Sequence, residues 1–127
     1  MREEVSNWWK QALKDLESAS KNFEIKEYYV VAFLSQQATE KALKALYIHT
    51  VKESPGPTHS LLFLGKSVKI PDEFFSGLRK LSPDFVITRY PDAAHGVPYE
   101  LYDDEIAKER LKIAKGVVKW VKKELEN

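Results

Sequence analysis

The chain has 127 residues, of which 43% are hydrophobic and 31% charged, proportions typical of a globular protein. Its formal net charge of +1 does not by itself imply binding to a nucleic acid or a membrane. Without cysteine it has no disulfide or thiolate metal site, and no apolar run approaches the about 20 residues of a membrane span. We expect a single cytoplasmic domain over residues 1–127, without a secretion signal.

Two long helices are predicted in the first half of the chain. From about Glu3 to Asn22, apolar residues recur every three or four positions and form one stripe. The short link that follows turns the chain back. A second helix is then expected from about Lys26 to Val51, because the proline and glycine cluster at 54–57 cannot continue a helix.

The second helix contains the most informative segment of the chain, residues 35–46. The preceding turns, residues 28–34, are apolar on every side, which is typical of a buried helix. Polar side chains follow them directly: Gln36, Gln37, Glu40, Lys41 and Lys44. These side chains form either the exposed end of the helix or the floor of a binding site, and exposure is the commoner case.

Two short helices are predicted next. Thr58 is the expected N-cap of a third helix, which Gly65 would end. Pro71 is a favoured first-turn residue, so a fourth helix is expected from there until Pro83 intervenes.

The segment Pro83–Tyr102 has three prolines and no helical period, so it is predicted to be a long ordered loop packed on the helices. Phe85–Thr88 is its only strand-like run. The last helix is expected from Asp103 or Asp104 to about Leu125. The predicted fold is therefore all-α: an up-and-down four-helix-type bundle with short extra helices and one long ordered loop before the last helix.

Lysines crowd the last predicted helix. At their spacing they share one face of it, which is expected to be solvated. They are Lys112, Lys115, Lys119, Lys122 and Lys123.

The strongest chemical candidates are Arg89 and His95, which lie in the predicted loop with Tyr90 and Asp92 between them. An arginine neutralises a phosphate, and a histidine transfers protons near neutral pH. Together they are the minimum for metal-independent RNA cleavage, in which a 2′-hydroxyl attacks the adjacent phosphorus. One chain supplies one of each, so a homodimer would form the natural site. The alternative is a surface loop whose arginine pairs with Asp92 and whose histidine is solvated.

The other histidines have no pattern typical of a metal site. His59 is expected at the start of the third helix or packed on the second, and His49 near the C-terminal end of the second. Because no His-x-x-x-His spacing and no glycine-rich phosphate loop occur, we expect neither a metal nor a cofactor.

The chain resembles the HEPN domain family from Trp8 to Val121. Four motifs carry the resemblance, in the family's order and spacing. They are Trp9–Ala19, Tyr28–Leu46 with its Gln-Gln-Ala-Thr-Glu-Lys-Ala-Leu-Lys-Ala core, Thr58-His59-Ser60-Leu61, and Thr88-Arg89-Tyr90-Pro91-Asp92.

The resemblance implies a helical bundle that commonly dimerises and that has been associated with nucleotide binding. Many members accompany a minimal nucleotidyltransferase in a toxin–antitoxin-like pair. Active members are metal-independent RNases that use an arginine and a histidine separated by four to six residues, a spacing that Arg89 and His95 match.

Three functions stay open at this point. The first is binding of a nucleotide or RNA phosphate in a cleft between the second helix and the Arg89 loop, together with a nucleotidyltransferase partner. The second is a metal-independent endoribonuclease that uses Arg89 and His95 at a homodimer interface, and the third is a non-catalytic interaction scaffold. The residues expected to bind the ligand in the first case are Gln37, Lys41, Lys44, His59, Tyr90 and Asp92.

Overall fold

Helices account for all the regular secondary structure in a computed structural model that describes residues 1–127. They are α1 (Glu3–Glu24), α2 (Tyr28–Val51), α3 (Leu61–Ser67), α4 (Phe75–Leu81), α5 (Asp84–Ile87), α6 (Pro91–Ala94) and α7 (Asp104–Glu126), with 3₁₀ turns at Asp72–Phe74 and Pro98–Leu101. The all-α bundle is thus confirmed, and its long helices lie within about two residues of their predicted bounds. None of the helices is long and apolar enough to cross a membrane.

The central element of the bundle is α2, which packs most extensively against α1 and α7. Small side chains at Ala38, Ala42 and Ala45 are fully buried and let the neighbouring helices approach closely. Burial continues beyond the apolar turns into the polar part of the helix, where Gln36 and Glu40 are also buried. The interpretation of this segment as an exposed helix end is therefore wrong.

Side chains cap the N-termini of α7 and α3. Asp103 caps α7, which begins at Asp104, and its carboxylate accepts a hydrogen bond from the Ile106 N–H at 2.9 Å. At α3 the cap is Ser60, whose hydroxyl accepts from the Phe63 N–H at 3.1 Å, while the Thr58 hydroxyl accepts from the Ser60 N–H. The predicted Thr58 cap is therefore wrong by two residues, because Thr58 stabilises the turn before the helix.

Gly65 lies inside α3 and does not end it. A Cβ atom at this position would come within 2.9 Å of the Leu78 side chain and 3.1 Å of Ile70. The glycine is thus explained by close packing of α3 against α4. The next helix also begins later than predicted, since Pro71 precedes a 3₁₀ turn that leads into α4 at Phe75.

The segment between α4 and α7 is ordered, but it is not the single long loop that the sequence predicts. It consists of α5, α6 and the 3₁₀ turn Pro98–Leu101, and α5 and that turn pack against α2. Pro91 and Pro98 each occupy a first-turn position, where a missing N–H costs nothing. The strand-like run Phe85–Thr88 is helical. One-turn helices are too short to show a sequence period, which explains the difference.

Candidate functional site

Glu40 is the centre of a buried polar network on α2. Its carboxylate accepts hydrogen bonds from the Lys44 ammonium at 3.0 Å and the Gln36 amide at 3.1 Å, and it lies 3.1 Å from Nδ1 of His59. Gln36, Glu40 and Lys44 are four residues apart, so they share one helix face. A carboxylate in this interior needs such partners, because an unpaired buried charge is strongly destabilising.

Lys44 is enclosed by this network rather than open to a ligand. Only 7% of its side chain is exposed, and its ammonium lies 5.2 Å above the ring centre of Trp8. The carboxylate of Glu40 and the face of the Trp8 ring together compensate for the loss of water around this cation.

Lys41 and Gln37 continue the same network toward α1. The Lys41 ammonium donates to the Asp15 carboxylate at 2.6 Å and to the Gln37 amide oxygen at 3.2 Å. Gln37 in turn donates to Gln36 at 2.7 Å, and Gln11 donates to Asp15 at 2.8 Å. Each of the three α2 side chains predicted to line a cleft therefore already has a partner within the chain.

His59 connects this network to the surface. Its Nδ1 faces Glu40 at 3.1 Å, its ring stacks on Phe85 with centroids 4.1 Å apart, and about half of the side chain is exposed. The carboxylate fixes the proton of a neutral imidazole on Nδ1, which leaves Nε2 as the outward-facing acceptor. His59 packs on the second helix, as the sequence predicts, through this contact.

The side chain of Arg89, like that of His59, contacts the ring of Phe85. Its guanidinium carbon lies 4.6 Å from the Phe85 ring centre, 5.3 Å from that of Phe33 and 5.1 Å from that of Tyr90. Its Nε donates to the Phe85 carbonyl at 2.9 Å. Aromatic faces attract the cation and hold it in place without neutralising its charge.

Asp92 does not neutralise Arg89 either. It is exposed in α6 and, like Arg89, takes part in no ion pair, so the alternative in which the two side chains pair is wrong. Tyr90 is 48% exposed beside the guanidinium. The structure thus places His59 and Arg89 against Phe85 and the ring of Tyr90 beside Arg89, whose positive charge is not neutralised.

His95 ends α6 in the left-handed backbone region, with φ 54° and ψ 40°. The imidazole is exposed and forms no hydrogen bond within the chain. A residue with a side chain is uncommon in this conformation, although histidine tolerates it better than most. His95 is therefore displayed on the surface, one turn of α6 beyond Arg89.

A buried carboxylate, Asp84, anchors the segment between α4 and α7 that carries Arg89, here called the Arg89 segment. It accepts hydrogen bonds from the Tyr102 hydroxyl at 2.6 Å and from Nε of Arg110 at 2.7 Å. Burial raises the pKa of the Asp84 carboxyl against the opposing effect of these two donors, and burial followed by the Asp84 bond raises the pKa of Tyr102. The contacts tie α5 to the start and first turns of α7.

No cavity of the chain is formed by the predicted ligand-binding residues. The largest, about 740 Å³, is lined by Lys66, Lys69, Ile70, Pro71, Asp72, Phe75 and Arg79, and the others lie along α7. No group of three or more His, Asp or Glu side chains lies close enough together to hold a metal ion. The candidate site is therefore an open surface at His59, Arg89 and Tyr90.

Two members of this arrangement are not among the site residues selected from the sequence. Glu40 belongs to the polar segment, and its spacing of four residues from Gln36 and Lys44 is the signal that identifies it as their shared acceptor. Phe85 lies within the strand-like run, and no pattern in the sequence indicates that it contacts both His59 and Arg89.

Comparison with known proteins gives a consistent result. The family model described as the HEPN domain matches residues 5–125. The crystal structure of TT1696 from Thermus thermophilus is similar with a TM-score of 0.86 at 28% identity, covering 96% of this chain and 98% of that one. That of ST0689, an archaeal HEPN homologue, has a TM-score of 0.82 at 34% identity and covers 98% of each chain. No curated protein matches the chain.

Proposed function

The chain belongs to the HEPN domain family, and on that premise we propose that it binds the phosphate of a nucleotide or of RNA at the surface around Arg89. The observation that carries the proposal is the guanidinium of Arg89, which is exposed, stacked among three aromatic rings and free of any carboxylate partner. Such a guanidinium presents a rigid fork of N–H donors that matches a phosphate.

Three neighbouring side chains complete the proposed contacts. Nε2 of His59 accepts a hydrogen bond from a ligand hydroxyl when the imidazole is neutral and donates one to a phosphate when it is protonated, while Nδ1 contacts Glu40. The exposed ring of Tyr90 offers a face to a base. Asp92 is suited to accept a hydrogen bond from a ribose hydroxyl, because its carboxylate has no partner within the chain.

Gln37, Lys41 and Lys44 support this surface from within in our proposal. Their hydrogen bonds hold Asp15 and Glu40, and Glu40 in turn orients His59. The proposed partner is a minimal nucleotidyltransferase in a toxin–antitoxin-like pair, which rests on the family resemblance.

Calorimetric titration with ATP tests the binding proposal. Arg89→Ala is expected to weaken the affinity by about 1.5–3 kcal/mol, the usual contribution of a hydrogen bond to a charged group. Arg79→Ala is the matched control, since Arg79 is also exposed and unpaired but lines the 740 Å³ cavity. A larger loss with Arg79→Ala would move the site to that cavity. Absence of any binding near millimolar ATP would favour the interaction scaffold.

A metal-independent endoribonuclease is the second candidate, and one observation favours it. Large apolar side chains are exposed on both sides of Arg89 and His95, where a second copy of the chain can cover them. They are Val86, Tyr90, Val97, Tyr99 and Leu101. In such a homodimer, His95 would take the proton of the 2′-hydroxyl as its oxygen attacks phosphorus. Arg89 would stabilise the phosphorane, and the protonated His95 would give its proton to the 5′-oxygen, which leaves as a hydroxyl as the 2′,3′-cyclic phosphate forms.

Cleavage of a labelled RNA in the presence of EDTA tests this second candidate. His95→Ala is expected to abolish cleavage while the melting temperature and the dimer are unchanged, whereas His49→Ala, a histidine on α2, is expected to retain it. A wild-type dimer that leaves the RNA intact would exclude the endoribonuclease.

A further inference from the structure

A single stripe of lysines follows the exposed side of α7. Successive members are four, three, four and three residues apart, which keeps them on one face of the helix. They are Lys108, Lys112, Lys115, Lys119 and Lys122, here called the lysine stripe, and all are exposed. At 1.5 Å per residue the stripe is about 21 Å long.

No member of the lysine stripe forms an ion pair, although the chain contains 19 acidic residues. Two of the exposed lysines of α1 are paired instead, since Lys14 and Lys21 both contact Glu17, at 3.5 and 3.0 Å. Lys115 and Lys119 even lie four residues apart, a like-charge spacing that destabilises a helix. The whole chain has a net charge of +1, so outside the five lysines of the stripe the 19 acidic residues outnumber the 15 remaining lysines and arginines.

A groove with an apolar floor runs beside the stripe. It has a volume of about 380 Å³ and is lined by Phe23 and Leu111 together with Lys108, Lys112 and Lys115. Phe23 is half-buried at the end of α1 and is supported by an edge-to-face contact with Tyr28, with ring centroids 5.8 Å apart. An aromatic ring thus lies next to three unpaired cations.

We propose that the lysine stripe binds the backbone of a single-stranded nucleic acid, with one base placed against Phe23. Regularly spaced cations suit a chain of phosphates, and a nearby aromatic ring suits an unpaired base. A duplex keeps its bases stacked inside and would leave the groove unused. The inference rests on the proposed function, because RNA is the shared ligand, but it uses a different face of the molecule.

Fluorescence anisotropy with a labelled 12-residue oligouridylate over a range of salt concentrations tests this proposal. The triple variant Lys112→Gln, Lys115→Gln, Lys119→Gln is expected to bind at least about tenfold more weakly near 100 mM salt. Its log–log salt slope should be shallower by about 2, since each lost phosphate contact to a single strand removes about 0.7.

A second triple variant controls for net charge. Lys10→Gln, Lys14→Gln, Lys52→Gln removes three exposed lysines outside α7 and is expected to keep the wild-type slope. Equal losses in the two triple variants would overturn the proposal, because binding would then depend on net charge alone. Competition by polyglutamate as effective as that of unlabelled oligouridylate would also overturn it, in favour of an acidic protein partner.

Two further measurements separate this surface from the Arg89 surface and test the role of the groove. The α7 triple variant should bind ATP as wild type does, whereas Arg89→Ala should lose ATP affinity and keep most of the oligonucleotide salt slope. Phe23→Leu should weaken oligouridylate binding several-fold without changing that slope. If Phe23→Leu binds as wild type does, the base contact is wrong even if the phosphate contacts remain.

Discussion

Two neighbouring regions of this protein differ in whether their charged side chains have partners within the chain. On α2, Glu40, Lys41 and Lys44 have internal partners of opposite charge, and Glu40 and Lys44 are almost fully buried. In the Arg89–His95 segment the cation and the imidazole are exposed and unpaired. Phe85 lies where the two regions meet, since its ring contacts both His59 and Arg89.

The difference shows that the number of charged residues does not locate a binding surface. A lysine that already has a carboxylate partner must give it up before it can bind a phosphate, and in the interior that exchange is costly. A stacked arginine with no such partner exchanges only water for the ligand. This contrast supports a structural role for the α2 network and our proposal that the Arg89 surface binds the ligand, and predictions about single side chains can separate the two roles.

The largest expected effect is that of Glu40→Ala. Removal of this carboxylate leaves the Lys44 ammonium buried with only the Trp8 ring beside it, which should cost about 3–5 kcal/mol of unfolding free energy. Urea denaturation followed by circular dichroism measures the loss. Glu17→Ala removes an exposed carboxylate on α1 with two lysine partners and is expected to unfold as wild type does. Similar values for the two variants would mean that the α2 network does not stabilise the fold.

Asp84→Asn tests whether the Arg89 segment has a structural anchor of its own. Asparagine has one acceptor oxygen where aspartate has two, so it cannot accept hydrogen bonds from Tyr102 and Arg110 through separate oxygens. We therefore expect the free energy of unfolding to fall by about 1–2 kcal/mol at pH 7. Burial raises the pKa of Asp84 in the folded protein above its ordinary value of 3.8. At pH values between the ordinary pKa and the raised one, the folded protein therefore holds a proton that the unfolded chain has lost. The contribution of Asp84 to stability therefore falls as the pH rises through that window.

The difference between wild type and Asp84→Asn should accordingly be smallest at pH 7 and grow as the pH falls toward 4. Urea titrations of both proteins at several pH values measure it, and effects of the other carboxylates largely cancel in the difference. A difference that shrinks as the pH falls would show that the Arg110 contact outweighs burial and that the direction assigned to the Asp84 pKa is wrong.

The sequence was sufficient to predict the long helices and insufficient to predict the contacts between elements, while the roles of Arg89 and His95 stay a prediction. Apolar periodicity over more than 20 residues places α1, α2 and α7, since each helix must bury one face. Periodicity identifies the apolar face of a helix, but it does not identify the residues that pack against that face. The burial of Glu40 depends on its position opposite His59, which is distant in sequence.

The segment before α7 shows a second limit. Its prolines exclude long helices, yet the same residues start the one-turn helices that orient Arg89 and His95. The stacking of Arg89 on Phe33 likewise joins α2 to this segment through a contact that no spacing along one element indicates. Such cross-element contacts decide which charges remain unpaired, so the choice between structural and binding residues required the fold.

The smallest expected effect concerns the backbone of His95. Its left-handed conformation, with φ 54°, suits glycine better than any residue that carries a Cβ atom. His95→Gly should therefore be more stable than His95→Ala by about 1 kcal/mol, and both variants lack the imidazole, so the difference reports the backbone alone. Thermal denaturation measured for both variants gives this value.

If His95→Gly is as stable as wild type or more so, the histidine is not required by the fold, and its place on the exposed segment is better explained by a ligand or a reaction. If His95→Gly is less stable than His95→Ala, the backbone at this position is not left-handed in solution, and the contrast between the Arg89 segment and α2 must then be drawn without His95.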